Sequence, residues 1–500
     1  MSQSSSTALT DPAPHHSTSA HHAPHRWWIL VFIGIAQLMV VLDATIVNIA
    51  LPSAQRDLGF SDGNRQWVIT AYSLAFGSLL LLGGRIADLF GRKMTFLVGL
   101  VGFAGASALG GAAVNFEMLI TARAAQGLFG ALLAPAALSL LTTTFTDPKE
   151  RTTAFSVYGI IAGAGGAIGL LLGGTLTEYL DWRWTLYVNV VFAVAAFIGA
   201  SLLLARTARD KNATLDVPGT LLVSGGLFCI VYGFSNADSH DWTSPMTWGF
   251  LVAGVLLLAA FTWWQTRTTH PLLPLRVLAD RNRGASFVAV LILSAGIFGV
   301  FLFLTYYIQQ ILGYTPVESG LAFLPMVAAL MLGTVISNNF LIPRIGPKPV
   351  VPLGLGIAAA GLVWMTTLGL DSEYVSHVLP QLMVTGFGMG LVMAPAMSLA
   401  TQGVGAQDAG VASATVNTMQ QIGGSIGTAL LTTVASSAAT DYLSGRNPKS
   451  PVVLAQASVE SYSAAYQWSA VLFAAGVVIC ALLYRRGVPE QDNDAVAIHM

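Results

Sequence analysis

The sequence predicts an all-α integral membrane protein of fourteen transmembrane helices, and three observations predict it. Of its 500 residues, 54% are hydrophobic and only 9% charged, with a mean hydropathy of +0.67; soluble domains carry about 25% charged residues. Apolar runs close to the roughly 20 residues that cross a bilayer recur along the whole chain. The third observation is the placement of Lys and Arg, which favour cytoplasmic loops.

The expected spans are 27–50, 66–84, 94–113, 118–142, 152–176 and 184–205, then 217–236 and 247–266, then 284–310, 318–342, 349–369, 377–400, 409–436 and 464–484. With the N-terminus inside and the loops alternating, seventeen of the 23 Lys and Arg fall on the cytoplasmic side. Arg56, Arg65, Arg183, Arg446 and Lys449 fall outside, and Arg123 stays within a helix. A missed or invented span would scramble this bias, so both termini are expected in the cytoplasm and the chain in the cell membrane.

Residues 1–25 are rich in Ser, His, Pro and Ala and have almost nothing apolar to bury, so they read as a disordered tail rather than a metal-capturing cluster. No cleavable signal peptide is visible, and 487–500 forms a second cytoplasmic tail. Between them, 26–205 and 284–486 read as two six-helix bundles, with 206–283 holding two extra helices and their basic linkers. An internal repeat supports this division. The segment 338–348, NNFLIPRIGPK, echoes 84–93, GRIADLFGRK; aligned on Gly91 and Gly346, Lys93 meets Lys348 while Asp88 falls on Pro343. Paired halves are a transporter plan, with the substrate near the midplane between them.

The stretch 83–93, GGRIADLFGRK, packs Arg85, Asp88, Arg92 and Lys93 between two apolar runs. A loop this short cannot hold a domain, so its charges serve the membrane protein itself. In the first span, Asp43 lies in LDATIVNIALP. A charge near a helix centre costs about 2.5–3.5 kcal/mol on insertion scales, which makes such a residue functional by default; a carboxylate there can load and release a proton. Gln37, Ala44 and Asn48 follow one line of that helix, with Asp43 about 120° away, so a proton site and a substrate-facing stripe are expected on adjacent faces. Arg123, in the fourth span with Gln126, Gly127 and Gly130 along the same side, stays protonated. Its expected part is to act on a nearby carboxylate or to order water beside it, the alternative being a side chain snorkelling to the interface.

In the fifth span Gly165, Gly169 and Gly173, followed by Gly174, recur at the spacing that lets another helix backbone approach closely. This is a packing face, since no Lys-Ser/Thr follows as a phosphate loop needs. Asn417, Gln420 and Gln421 interrupt the thirteenth span; with Tyr72, Tyr158, Tyr306, Met389, Met393 and Met397 they are candidate linings of an adaptable cavity. Gln37, Asn48 and Gln126 join that list. The net charge of −1 speaks against a nucleic-acid partner. Cys229 and Cys480, in distant apolar runs, indicate neither a disulfide framework nor a metal site. No catalytic constellation or nucleotide loop is present, so no enzyme and no cofactor are expected.

Gly84, Asp88, Gly91, Arg92 and Lys93 resemble the loop signature of the major facilitator superfamily. LDATIVNIALP resembles the first-helix motif of its fourteen-helix drug:proton antiporter branch, the EmrB/QacA type. Arg123, Gln126 and Gly127 resemble a second family signature, and WVITAYSLAFG (67–77) and WRWTLYVNV (182–190) match the branch further. The resemblance covers the whole membrane part. It implies two six-helix bundles rocking about a central cavity, proton entry driving export, Asp43 as the coupling carboxylate and Arg123 assisting it. It also implies that Asp88 sits at the N-terminal end of the thirteenth helix, where the dipole favours negative charge, with Arg92 and Lys93 anchoring the loop. One departure is that Leu170 follows Gly169 where the family's antiporter signature has proline. The implied substrates are drug-like or antibiotic amphiphiles, neutral or monocationic because no acidic residue lies deep in spans seven to fourteen. Proton symport of a metabolite and a non-transporting scaffold or sensor are the competing readings. No accessory segment is visible, so a monomer in the lipid bilayer is expected.

Overall fold

The computed structural model of the chain describes residues 25–145, 147–204, 216–240, 244–269, 271–402, 409–447 and 449–487. The expected tails and the linker cations Arg206, Arg209 and Lys211 lie outside these residues. Those described form helices and their connections: α1 (Arg26–Leu58), α2 (Arg65–Phe90), α3 (Arg92–Gly111), α4 (Phe116–Thr144), α5 (Pro148–Tyr179), α6 (Trp184–Leu203), α7 (Val217–His240) and α8 (Pro245–Gln265). The short α9 (Leu275–Ala279) precedes α10 (Arg281–Tyr306), α11 (Pro316–Ile336), the short α12 (Ile342–Ile345), α13 (Pro347–Met365), α14 (Leu379–Thr401), α15 (Ala409–Leu443) and α16 (Pro451–Leu483). Helices suit these runs because hydrocarbon offers no partner to a free N–H or C=O.

Twelve helices among the described residues are long and apolar enough to cross a membrane, against the fourteen expected. The two left out are α2 and α5, of 26 and 32 residues. Both contain residues whose side chains lie outside those described, at Leu81 and Asp88 in α2 and at several positions from Arg151 to Ala164 in α5, so the count of twelve is made without them. The last two helices are also longer than expected, reaching 443 and starting at 451. The expected span 318–342 falls within one candidate span, Pro316–Ile345, made of α11, a π-type turn at Ser337–Leu341 and α12; Pro343, which cannot donate a helical hydrogen bond, stands in the first turn of α12.

Helix ends follow local chemistry. The Asn115 side chain accepts from the Met118 N–H at 2.8 Å, and Thr315 with Glu318 forms a capping box on α11. Gly91 and Gly346, the pair on which the repeat aligns, both reverse the chain with positive φ, 94° and 74°. Only glycine adopts such backbone at little cost.

Packing repeats as well. α2 runs parallel to α4, with Tyr72 at Gly127, Phe76 at Gly130 and Gly83 at Ala131; α11 runs parallel to α14, with Met326 at Gly386 and Leu330 at Gly390. α1 and α5 run parallel through Val41–Gly165, Thr45–Gly169 and Ile46–Gly173, as do α10 and α15 through Leu291–Gly423 and Ala295–Gly427. The two groups meet where α2 packs on α15 and α5 on α11. The hairpin of α7 and α8 leans its first helix on both α2 and α15. Ser224 Oγ donates to the Ser78 carbonyl at 2.8 Å, and the Tyr232 ring lies 6.0 Å from Trp67.

Candidate functional site

Asp43 points into the N-terminal group of helices and is fully buried, at 0% exposure. Two helices, α4 and α6, bond it directly, and α2 and α3 complete the cluster around it. Arg123 of α4 donates through Nη1 to Asp43 Oδ2 at 2.6 Å. Gln126, one turn on, donates through Nε2 to Asp43 Oδ1 at 2.8 Å, and Asn189 of α6 donates through Nδ2 to the same oxygen at 2.8 Å. Gln126 also accepts from Arg123 Nη1 at 2.8 Å and donates to Ser107 Oγ of α3 at 2.8 Å. Arg123 Nε donates to the Val68 carbonyl of α2 at 3.0 Å, and the guanidinium lies 4.5 Å from the Tyr72 ring centroid. Each link is charge-assisted or fully buried, where hydrogen bonds are strongest and unmet partners most costly. Both carboxylate oxygens of Asp43 are thus met by donors, Oδ2 by one and Oδ1 by two. Arg123, at 2% exposure, is not snorkelling to an interface.

This cluster draws in residues expected elsewhere. Tyr72 and Gln126, expected along a substrate cavity, are buried against Arg123 and Asp43 because the ion pair needs a ring face and an amide to complete it. Asn48 is buried too, its Nδ2 donating to the Ala44 carbonyl of its own helix at 3.1 Å. Gln37, Tyr158, Asn417 and Gln420 remain half-buried. Tyr158 donates to Gln37 Oε1 at 2.6 Å, joining α5 to α1. Tyr306, another expected cavity residue, is fully buried; it donates to Gln55 Oε1 at 2.5 Å and lies 4.4 Å beneath the Arg65 guanidinium. Arg65, expected in an open loop, is itself buried there.

That contact belongs to a seal between the two helix groups, at the end of the bundle away from the N-terminus. Gln309 Nε2 donates to the Ile49 carbonyl at 3.1 Å, and Glu178 Oε2 accepts from the Val317 N–H at 3.0 Å. A Cβ on Gly174 would come within 2.6 Å of the Pro316 carbonyl oxygen. The expected glycine face of α5 therefore divides: Gly165, Gly169 and Gly173 meet α1, while Gly174 meets α11. Leu170, which replaces the proline, is fully buried, and its carbonyl oxygen would lie 2.6 Å from a Cβ at Gly320.

In the charged stretch the close backbone approach is at Gly83, where a Cβ would stand 1.9 Å from the Ala131 carbonyl oxygen; Gly84 has room for one. Lys93 donates to the carbonyls of Ser201, at 2.8 Å, and Leu204, capping the C-terminal end of α6, where the dipole favours a cation. Arg92 opens α3. Asp88 is in the last turn of α2; its side chain, and the segment 403–408 just before the helix expected to receive it, lie outside the described residues. Arg85 donates to the Pro271 carbonyl at 3.1 Å, a link the sequence did not suggest.

Asp216 was missed altogether. It is buried at the start of α7 and accepts from the Gly219 N–H at 2.9 Å, Trp264 Nε1 at 2.7 Å and Gln265 Nε2 at 2.7 Å. Gln265 Oε1 in turn accepts from the Leu273 N–H at 3.0 Å. Burial pushes the Asp216 pKa up, but hydrogen bonds from Gln265, Gly219, Trp264 and Leu272 outweigh it and hold the carboxyl below its ordinary value. One carboxylate thus ties both extra helices to the connection that Arg85 grips. Asn189 was also overlooked, although a lone amide inside so apolar a helix is a signal in itself.

A family model described as Major Facilitator Superfamily matches residues 33–428. The puromycin resistance protein pur8 of Streptomyces alboniger is 51% identical over 91% of this chain and 90% of that protein. The cephamycin export protein CmcT of Amycolatopsis lactamdurans is 37% identical, over 82% and 85% respectively. The lincomycin resistance protein of Streptomyces lincolnensis is 33% identical, over 82% and 84%. Among solved structures, an inward-facing, occupied bacterial homologue of the human lysosomal transporter Spinster superposes with a TM-score of 0.66 at 14% identity, covering 92% of this chain and 97% of that one. All-helical architecture, twelve candidate spans and a matched model over most of its length place this chain in the Major Facilitator Superfamily, as a multi-pass membrane transporter.

Proposed function

We propose that the protein exports antibiotic-like or other drug-like amphiphiles across the cell membrane in exchange for protons. The observation that carries this reading is Asp43, a carboxylate buried among apolar helices yet furnished with three donors, one of them a fixed cation. A carboxylate so placed can load and release a proton as access alternates. Arg123, paired with it at 2.6 Å, assists. The relatives' names, for puromycin, cephamycin and lincomycin, support antibiotic-like cargo.

The substrate would meet the half-buried Gln37, Tyr158, Asn417 and Gln420 between the two halves, 26–205 and 284–486. No carboxylate of α10–α16 is buried among the described residues, which favours neutral or monocationic cargo. α2 and α5 also cross the membrane in this reading, making fourteen spans with both termini cytoplasmic. Its support is that each runs parallel to a spanning helix, α4 and α1, and that their counterparts α11 and α15 are themselves long and apolar enough to cross. The protein works as a monomer surrounded by lipid.

Proteoliposomes test the coupling. Wild-type protein moves substrate against an inward proton gradient, and Asp43→Asn loses the dependence on that gradient. Movement of substrate in the same direction as the protons would instead establish symport.

A further inference from the structure

We infer that Asn189 is the residue that registers the protonation of Asp43, by turning its side-chain amide over. The inference rests on the reading of Asp43 as the proton site. In the structure every partner of this carboxylate is a donor: Arg123 Nη1 on Oδ2, with Gln126 Nε2 and Asn189 Nδ2 on Oδ1. A neutral carboxylic acid is different, because its O–H must donate. Charged or titratable groups facing the site are Arg123 from α4 and Tyr72 from α2; α3 and α6 present Ser107 and Asn189, which do not titrate. Arg123 keeps its charge, so Oδ2 is the oxygen best stabilised as an anion and the incoming proton bonds to Oδ1.

One of the two amides on Oδ1 must then become an acceptor. Gln126 is held on both sides: its Oε1 accepts from Arg123 and its Nε2 also donates to Ser107. Reversing it would break the bond from Arg123 and turn an N–H toward the guanidinium, a loss that Ser107, whose hydroxyl can donate as well as accept, does not repair. Asn189 is fully buried, and its Oδ1 has no hydrogen-bond partner. An unmet buried acceptor costs free energy. When the amide turns, the Nδ2–H bond to Asp43 Oδ1 is lost and the new O–H donates to Asn189 Oδ1. Nothing else is broken. Asn189 thereby satisfies both forms of Asp43, and its orientation carries the protonation state into α6.

Infrared difference spectra of the full chain in lipid vesicles, acid minus neutral, test this with asparagine carrying nitrogen-15 in its side chain. Wild type is expected to show a carboxylic acid C=O band, absent from Asp43→Asn, and an isotope-sensitive amide band, absent from Asn189→Leu, both titrating with one midpoint. In Asn189→Leu the acid band shifts to higher frequency; in Asn189→Ser, whose hydroxyl donates or accepts, it returns toward the wild-type position. An Asp43 band without an Asn189 amide band, or with a different midpoint, overturns the inference. The absence of any Asp43-dependent band sinks the proton-site reading itself, and this inference with it.

Discussion

Arg123 makes three directional bonds at once, to Asp43, Gln126 and the Val68 carbonyl, while its face covers Tyr72. A lysine supplies a point charge without the fork. Arg123→Lys is therefore expected to insert and fold but to lose at least about tenfold in gradient-driven transport, since hydrogen bonds to charged groups contribute roughly 1.5–3 kcal/mol each. Arg123→Leu should do worse, because it strands Asp43 as an unpaired buried anion at a cost of about 3–5 kcal/mol; thermal unfolding in detergent would show it as a lowered midpoint. Equal stability of wild type and Arg123→Leu would mean that Asp43 is already neutral. The sequence made this pair legible as two charges in apolar helices. It did not show that they touch, because the chain between them, which sets them 80 positions apart, carries no record of which faces meet.

Among the elements, the α1–α5 seam is the tightest that glycine spacing foretold. A Cβ at Gly169 would lie 2.0 Å from Thr45 Oγ1, so Gly169→Val should push α5 off α1, a form of overpacking that costs about 1–3 kcal/mol. Gly166→Val, where space is open, is the matched control, compared by stability in detergent. The α7–α8 hairpin allows a pH prediction. The Asp216 carboxyl is held below its ordinary pKa, so its contribution is present above the unfolded value of about 3.9 and lost as pH falls through the lower folded one. Spin-label distances between α8 and α2 should therefore hold from pH 8 to 5 and loosen only below about 4. Asp216→Ala should loosen them at every pH. No pattern in the sequence marked this anchor, since an aspartate before a helix reads as a plain cap; its partners lie 48 and 49 residues away.

For the whole molecule, the seal formed by Gln55–Tyr306, Ile49–Gln309 and Glu178–Val317 must open if the halves rock about the centre. A short cross-linker joining cysteines at Glu178 and Val317, with Cys229 and Cys480 replaced, is expected to stop transport and reduction to restore it. Transport that persists when cross-linked would rule out this seal as a moving gate. Asp88→Asn should impair transport while leaving insertion unchanged, as measured by membrane yield. The driving force is modest: about 2.3 kcal/mol per charge per 100 mV, enough for one proton to sustain a gradient of roughly fiftyfold in a neutral substrate.

The sequence by itself determined that this chain is a bundle of membrane helices, that it repeats about Gly91 and Gly346, and that Asp43 and Arg123 stand apart from their apolar surroundings. These are local properties: bilayer thickness dictates the length of an apolar run, and a charge within one is costly wherever it occurs. Only the tertiary structure decided that Gln126, Asn189 and Ser107 complete the buried cluster, that Tyr72 packs against Arg123 and Tyr306 against Arg65, and that Arg85 reaches the connection tied by Asp216. Those pairings depend on which helix faces meet across dozens of residues, and in a uniformly apolar span composition does not separate a face turned to lipid from one turned to protein.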